Sequence, residues 1–167
     1  MSYDSFTEGD VIETNLQPYQ MLFCRHSWYV IGHSSLHREI RTFNLSRVLS
    51  LEKSAERFVT PRDFRLERYL GNAWEMIPEP GRDKEVVVRF KPMVARNVAE
   101  VVWHKTQKTK FLADGSVDFS VRVSGLREIS WWILGYGDQA EVLKPANLRR
   151  MVADRAKNMA AIYNGKG

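Results

Sequence analysis

The sequence predicts a mixed α/β chain of two small domains. Residues 1–59 are expected as a small β-barrel, residues 60–81 as a connecting helix and Pro-rich linker, and residues 82–167 as a ferredoxin-like β-α-β-β-α-β domain with a C-terminal helix. Three observations carry this. The first third holds closely spaced, short strand-like runs separated by polar turns, a barrel pattern. Ile77-Pro78-Glu79-Pro80-Gly81 is the densest punctuation in the chain and marks the end of an inter-domain connection. Beyond it, strand, helix, hairpin, helix, strand and helix signals follow in split βαβ order.

Element by element, residues 19–24, just after Pro18, and residues 28–33 read as strands, with His26-Ser27 in the turn between them. Pro18 suits a strand start, where no ladder donor is needed. Residues 39–45 alternate, so that Arg41, Phe43 and Leu45 share one face and Ile40, Thr42 and Asn44 the other. Residues 48–51 read as one more short strand. Thr60-Pro61 supplies a hydroxyl N-cap and a proline at the first helical position, opening a helix over about 63–70 that stops at Gly71. In the second domain, residues 85–90 are a strand built on Val86-Val87-Val88. Pro92 opens a helix to Trp103, with Val94, Val98, Val101 and Val102 at helical spacing. Residues 109–112 and 116–123 flank Ala113-Asp114-Gly115, a hairpin signal. A helix over 126–134 stops at Gly135-Tyr136-Gly137, residues 140–143 form a strand, and residues 148–163 a last helix.

Composition bounds the function. A 167-residue chain with 44% hydrophobic and 11% aromatic residues can pack a core, so wholesale disorder is not expected. No apolar run approaches the ~18 residues of a spanning helix, and the acidic start, with no apolar h-region, is not a secretory signal. The lone Cys24 cannot form an intramolecular disulfide, which fits a reducing, cytoplasmic setting. It reads as a core thiol after Met21-Leu22-Phe23, the alternative being a reactive one. The formal charge of +5 is uneven: residues 82–167 carry 16 Lys and Arg against 9 Asp and Glu, while residues 1–60 carry 6 against 7. That bias favours anionic partners.

Ser27-Trp28-Tyr29-Val30-Ile31-Gly32-His33, followed by Arg41-Thr42-Phe43-Asn44-Leu45-Ser46-Arg47, resembles the WYL domain, a ligand-sensing module of bacterial transcription regulators. Trp131-Trp132-Ile133-Leu134-Gly135-Tyr136-Gly137, then Glu141-Val142-Leu143-Lys144-Pro145, Leu148-Arg149 and Tyr163, is similar to the C-terminal extension that follows such domains. Val30 stands where the family name implies leucine, and Asn44 and Ser46 stand where relatives are often charged. The resemblance implies an Sm-like or SH3-like barrel that binds an effector, with single-stranded nucleic acid and nucleotide-like signals as the leading classes. It implies Tyr29, His33, His37, Arg38, Arg41 and Arg47 as ligand contacts. It also implies contact with double-stranded DNA only through an N-terminal helix-turn-helix. The stripe Leu148, Val152, Ala156, Met159, Ala160 and Tyr163 on the last helix is either a face that docks on its own sheet or the seam of a homodimer. Tyr3-Asp4-Ser5 resembles the end of the first WYL strand, so the chain is expected to be the sensing part of a longer regulator.

The residue chemistry sets alternatives beside these roles. Arg41 and Arg47 can each grip a phosphate bidentately; the alternative is pairing with Glu39 or Glu52. Tyr29 can bond a phosphate or stack on a base, or pack across the barrel. Trp28 and Phe43 occupy apolar alternation positions and are assigned to the core. His33 and His37 can donate to an anion when protonated, or remain solvated turn residues. Arg38 sits beside Glu39 as a second turn cation, and the run Lys105-Thr106-Gln107-Lys108-Thr109-Lys110 is a solvated loop or an extension of the phosphate track. No nucleophile elbow, P-loop, dinucleotide fingerprint or metalloprotease motif is present, and no metal or other cofactor is expected. Binding rather than catalysis is the reading, with a small-molecule anion sensor and a ligand-free dimerisation module as rivals.

Overall fold

The structure is a computed structural model that describes residues 1–165. It divides into two compact units, Met1–Tyr69 and Leu70–Gly167.

In the first unit the strands are β1 (Ser2–Ser5), β2 (Asp10–Glu13), β3 (Leu16–Cys24), β4 (Ser27–Ser34), β5 (Glu39–Asn44) and β6 (Val48–Ser50), with a 3-10 turn at Leu45–Arg47 before β6. They are hydrogen-bonded as two three-stranded sheets, β2-β1-β6 and β3-β4-β5, and no closed barrel is traced among the described residues. The core between them is small. Tyr3 meets Phe43 edge-on with ring centroids 5.0 Å apart, Val30 is buried beside them, and the Asn44 N–H donates to the Tyr3 hydroxyl at 3.2 Å.

Local chemistry sets the register of the second sheet. Arg25 and His26 both take left-handed backbone (φ 47° and 61°), the conformation of a two-residue I′ hairpin turn, whose twist matches that of the strands. The turn lies at Arg25-His26 rather than His26-Ser27, and it pairs Cys24 with Ser27 and Phe23 with Trp28. Further along, Gly32 passes so close to β3 that a Cβ there would sit 2.2 Å from the Gln17 carbonyl oxygen. Glycine is the residue that fits.

The helix expected from Thr60-Pro61 is shorter: only Leu66–Leu70 is helical (α1). The Phe64 N–H closes a turn onto the Pro61 carbonyl, and the Arg65 guanidinium donates to the carbonyls of Arg62 and Phe64, which removes the acceptors of a first helical turn. The segment packs on the sheet all the same. Phe64 lies 5.2 Å from Tyr19 between ring centroids, and the Thr42 and Tyr69 hydroxyls are 3.0 Å apart. Burial pushes the Tyr69 phenol up from its ordinary value.

The second unit runs β7 (Lys84–Phe90), α2 (Pro92–Ala99), β8 (Lys108–Phe111), β9 (Val117–Val123), α3 (Arg127–Leu134), β10 (Ala140–Lys144) and α4 (Ala146–Tyr163). This is the expected β-α-β-β-α-β order with a last helix. The four strands form one antiparallel sheet in the order β10-β7-β9-β8. Alternation places Val86, Val88, Phe90, Phe119 and Val121 on the buried face. The opposite face carries a charge row across all four strands, Glu141-Arg89-Asp118-Lys110, in which Arg89 grips Asp118 at 2.8 and 3.0 Å. Trp132 centres an aromatic cluster with Trp74, Phe90, Trp103, Phe119 and Tyr136 at centroid distances of 4.8–5.4 Å, while Trp131 is 41% exposed.

Helix α2 stops at Ala99 rather than running to Trp103. The Trp103 indole N–H takes the Val98 carbonyl at 3.0 Å, and Gln107 Oε1 accepts from the Trp103 and His104 N–H groups, so the chain turns back. Residues 73–79 are strapped onto this unit. Trp74 is in its core, and the buried Glu128 carboxylate accepts the N–H groups of Glu75, Met76 and Ile77 at 3.0–3.2 Å.

Candidate nucleic-acid interface

The β3-β4-β5 sheet carries five of the six expected contact residues or the turns beside them, and pairing sorts them by face. Tyr29 opposes Asn44, Ile31 opposes Thr42 and His33 opposes Ile40, so these six share one face. Val30 opposes Phe43 and Gly32 opposes Arg41 on the other. Arg41 and Phe43 thus share a face as expected, whereas Tyr29 and His33 lie opposite them, half-buried beside the fully buried Ile31. The six residues do not converge on one pocket.

Each has its own surroundings. The exposed Arg41 guanidinium is engaged by Glu39, Nη2 to Oε1 at 2.6 Å. Such an exposed pair is worth little, and a phosphate can displace it. Arg47 lies over the Phe6 ring, its Cζ 3.5 Å from the centroid, a cation–π contact that fixes the guanidinium while leaving its edge for hydrogen bonds. Arg38 is exposed at a left-handed position (φ 57°), where its N–H closes the turn onto the Ser34 carbonyl at 2.8 Å.

His37 is committed to a polar chain. Its Nε2 donates to Glu8 Oε1 at 3.0 Å and its Nδ1 lies 2.8 Å from Ser34 Oγ, which in turn is 2.8 Å from Thr14 Oγ1. Ser5 Oγ donates to the other Glu8 oxygen. The Ser-His-Glu order has the connectivity of a nucleophile relay, but Ser34 is 0% exposed and no substrate carbonyl reaches it. The chain instead pins the 35–38 turn to the 6–9 turn.

One residue assigned to the core from sequence is not there. Trp28 is 50% exposed, and its cross-strand partner Phe23 is 56% exposed. The cause is register: the β4–β5 ladder ends at Tyr29↔Asn44, so Trp28 has a neighbour only on β3. Two residues on, Val30 is flanked on both sides and buried. Sequence alternation alone does not reveal where the third strand ends. Cys24, expected in the core, is half-buried at the end of β3.

Two open clefts lie on the surface. A cleft of about 280 Å³ is lined by Ile40, Phe64, Arg65, Arg68 and Tyr69 among others. Another, of about 310 Å³, lies between α4 and the end of α3, with Leu134, Val152, Met159 and Tyr163 in its wall. Among the described residues no group of three or more His, Cys, Asp or Glu side chains can hold a metal, and no helix is long and apolar enough to cross a membrane.

Comparison with known proteins agrees with the two-part reading. Residues 1–53 match the WYL domain and residues 82–160 the WCX domain. No curated protein matches the chain by sequence. Among solved structures, proteasome accessory factor B/C (PafBC) of Arthrobacter aurescens is similar at 22% identity and a TM-score of 0.39, over 93% of this chain and 23% of that one. A CRISPR Cas-related protein is similar at 10% identity and a TM-score of 0.58, over 99% of this chain and 47% of that one. The chain therefore spans less than half the length of either. With the two matches in order and together spanning most of the sequence, the chain is a WYL domain followed by a WCX domain.

Proposed function

We propose that the chain is the ligand-sensing and oligomerisation portion of a bacterial, cytoplasmic transcriptional regulator. In this reading it binds a nucleic-acid strand or nucleotide-like anion and thereby controls DNA binding by a helix-turn-helix outside this sequence. The two sheets of the first unit are read as halves of an Sm-like barrel. The 4-1-3-2 strand order of the second supports a ferredoxin-like fold for 82–167, with 60–81 as the connection.

The carrying observation is the charge of the β3-β4-β5 sheet and its turns. Residues 16–47 hold four arginines and three histidines against a single acidic residue, Glu39, in a unit that is otherwise acidic. Arg41 and Arg47 would take phosphates, with Arg38, His33 and Tyr29 as secondary contacts and His37 as a positioning residue. The ligand would act by preferring one arrangement of the regulator over another. A homodimer through the exposed apolar end of α4, where Met159, Ile162 and Tyr163 lie, would carry that preference to the DNA-reading heads.

The test is titration of the chain into labelled single-stranded DNA and RNA at two salt concentrations, beside an Arg41→Ala/Arg47→Ala variant. Tight, salt-sensitive binding that the variant loses is the expected result. Equal binding by the variant would overturn the assignment of these arginines. A second reading, a small-anion sensor, is favoured by the cleft between Arg65, Arg68 and Ile40. It predicts a shallow salt dependence, because only one or two charges are neutralised.

A further inference from the structure

We propose that Phe23 and Trp28 form a stacking platform for a nucleobase on the outer end of the β3–β4 hairpin; the inference rests on the nucleic-acid reading above and assigns the part of that site that holds the base. The two rings are direct cross-strand partners with centroids 5.2 Å apart and planes at 57°. Met21, two residues from Phe23 and on the same face, is 55% exposed. Three large apolar side chains are thus presented together at a place where the fold has no third strand to cover them. The hairpin beneath them is held in register by the left-handed pair Arg25-His26, so the platform is preorganised.

The occupant follows from charge and shape. A protein or lipid partner would need only apolar contact. The sheet that carries the platform, with its turns, has four arginines to one glutamate over residues 16–47, which favours a polyanion with flat apolar faces. A single nucleic-acid strand has both, because its unpaired bases are free to stack. Arg41 lies on the same face as Trp28, opposite Gly32, about 13 Å further along β4 at the usual rise of a strand. Val30 and Phe43, between the two on that face, are packed on Tyr3, so a strand that stacks a base at Trp28 and places a phosphate at Arg41 must pass beside that covered centre rather than across it. Tyr29, the aromatic favoured from sequence for stacking, points to the other face.

The experiment measures binding of the full chain to a labelled oligothymidylate and to an abasic oligonucleotide of equal length, at several salt concentrations. Because Trp28 is half-exposed, Trp28→Ala and Trp28→Leu are expected to keep the fold, which thermal unfolding verifies. Both variants should weaken oligothymidylate binding by about ten- to a hundred-fold with an unchanged salt slope, Trp28→Phe should largely restore it, and the abasic strand should bind wild type and variants alike. Unchanged oligothymidylate affinity in Trp28→Ala, with wild type still binding, overturns the platform but not the nucleic-acid reading. Failure of wild type to bind any strand overturns both. A variant that changes the sedimentation mass of the ligand-free chain instead of its affinity would identify the patch as a contact between copies, and would also overturn the proposal.

Discussion

His104 shows how one side chain can be committed to a single protonation state. It is buried in the second unit, its ring stacked at 10° on Trp74 with centroids 5.9 Å apart. Nε2 donates to the Ala73 carbonyl at 3.2 Å, and Nδ1 accepts the Thr106 N–H at 3.2 Å. The neutral imidazole satisfies both contacts, and the Thr106 hydroxyl lies 2.9 Å from Nδ1. Burial accordingly lowers its pKa from the ordinary value. A histidine with a depressed folded pKa contributes stability that is complete above its unfolded pKa of ~6.5 and is lost as pH falls below it toward the folded value. The urea midpoint of the second unit, followed by tryptophan fluorescence, is therefore expected to hold steady above neutrality and to fall as the pH drops below about 6.5. His104→Gln should lower the midpoint at neutral pH and flatten that fall. Equal pH dependence in both proteins would refute the role. At the same scale, the strand face of Arg41 could be read from the sequence, because the alternation with Phe43 and Ile40 fixes it. The exposure of Trp28 could not, because it depends on where β5 stops.

At the scale of elements, the segment between the two domains divides into parts with different duties. Residues 73–79 belong to the second unit, where one buried carboxylate, Glu128, holds three consecutive N–H groups. Removing it leaves those donors without an acceptor in a place water reaches poorly. Glu128→Ala should then cost about 3 kcal/mol, and Glu128→Gln less, since an amide oxygen still accepts. Native-state hydrogen exchange should show the amides of residues 75–77 speeding up in Glu128→Ala while those of β9 keep their order; unchanged exchange at 75–77 would count against the strap. None of this was visible beforehand: a glutamate inside a predicted helix looks like surface charge until the strap is seen to pass over it. Other elements were legible for a local reason. The Asp114-Gly115 hairpin forms where it was expected, since Gly115 takes the left-handed φ of 83° that the turn requires. Strand β2, four residues long with acidic ends, exists only through its pairing with β1, and no local pattern announced it. Val101 and Val102 continued the helical period past Ala99, but the Trp103 indole had already taken the carbonyl of the last turn.

For the whole molecule, charge and site lie in different places, and that separation can be tested. The excess of positive charge sits in residues 82–167, whereas the proposed strand site is on the first unit. If the whole chain acted as a diffuse polycation, replacing any two lysines would reduce strand binding equally. The basic run offers the sharpest comparison. Lys108 and Lys110 lie on β8, an edge strand of its sheet, and Lys110 pairs across to Asp118, whose carboxyl is held below its ordinary value chiefly by the hydrogen bond from Arg89. Charged side chains on an edge strand oppose pairing with another chain, and that duty needs no ligand. Lys108→Ala/Lys110→Ala is therefore expected to leave the slope of log affinity against log salt unchanged, while Arg41→Ala/Arg47→Ala lowers it by about two. The lysine variant should instead show more light scattering on concentration, as its edge loses protection. A slope reduced equally by both variants would mean that the strand runs onto the second unit, and that the charge asymmetry of the sequence located part of the site after all.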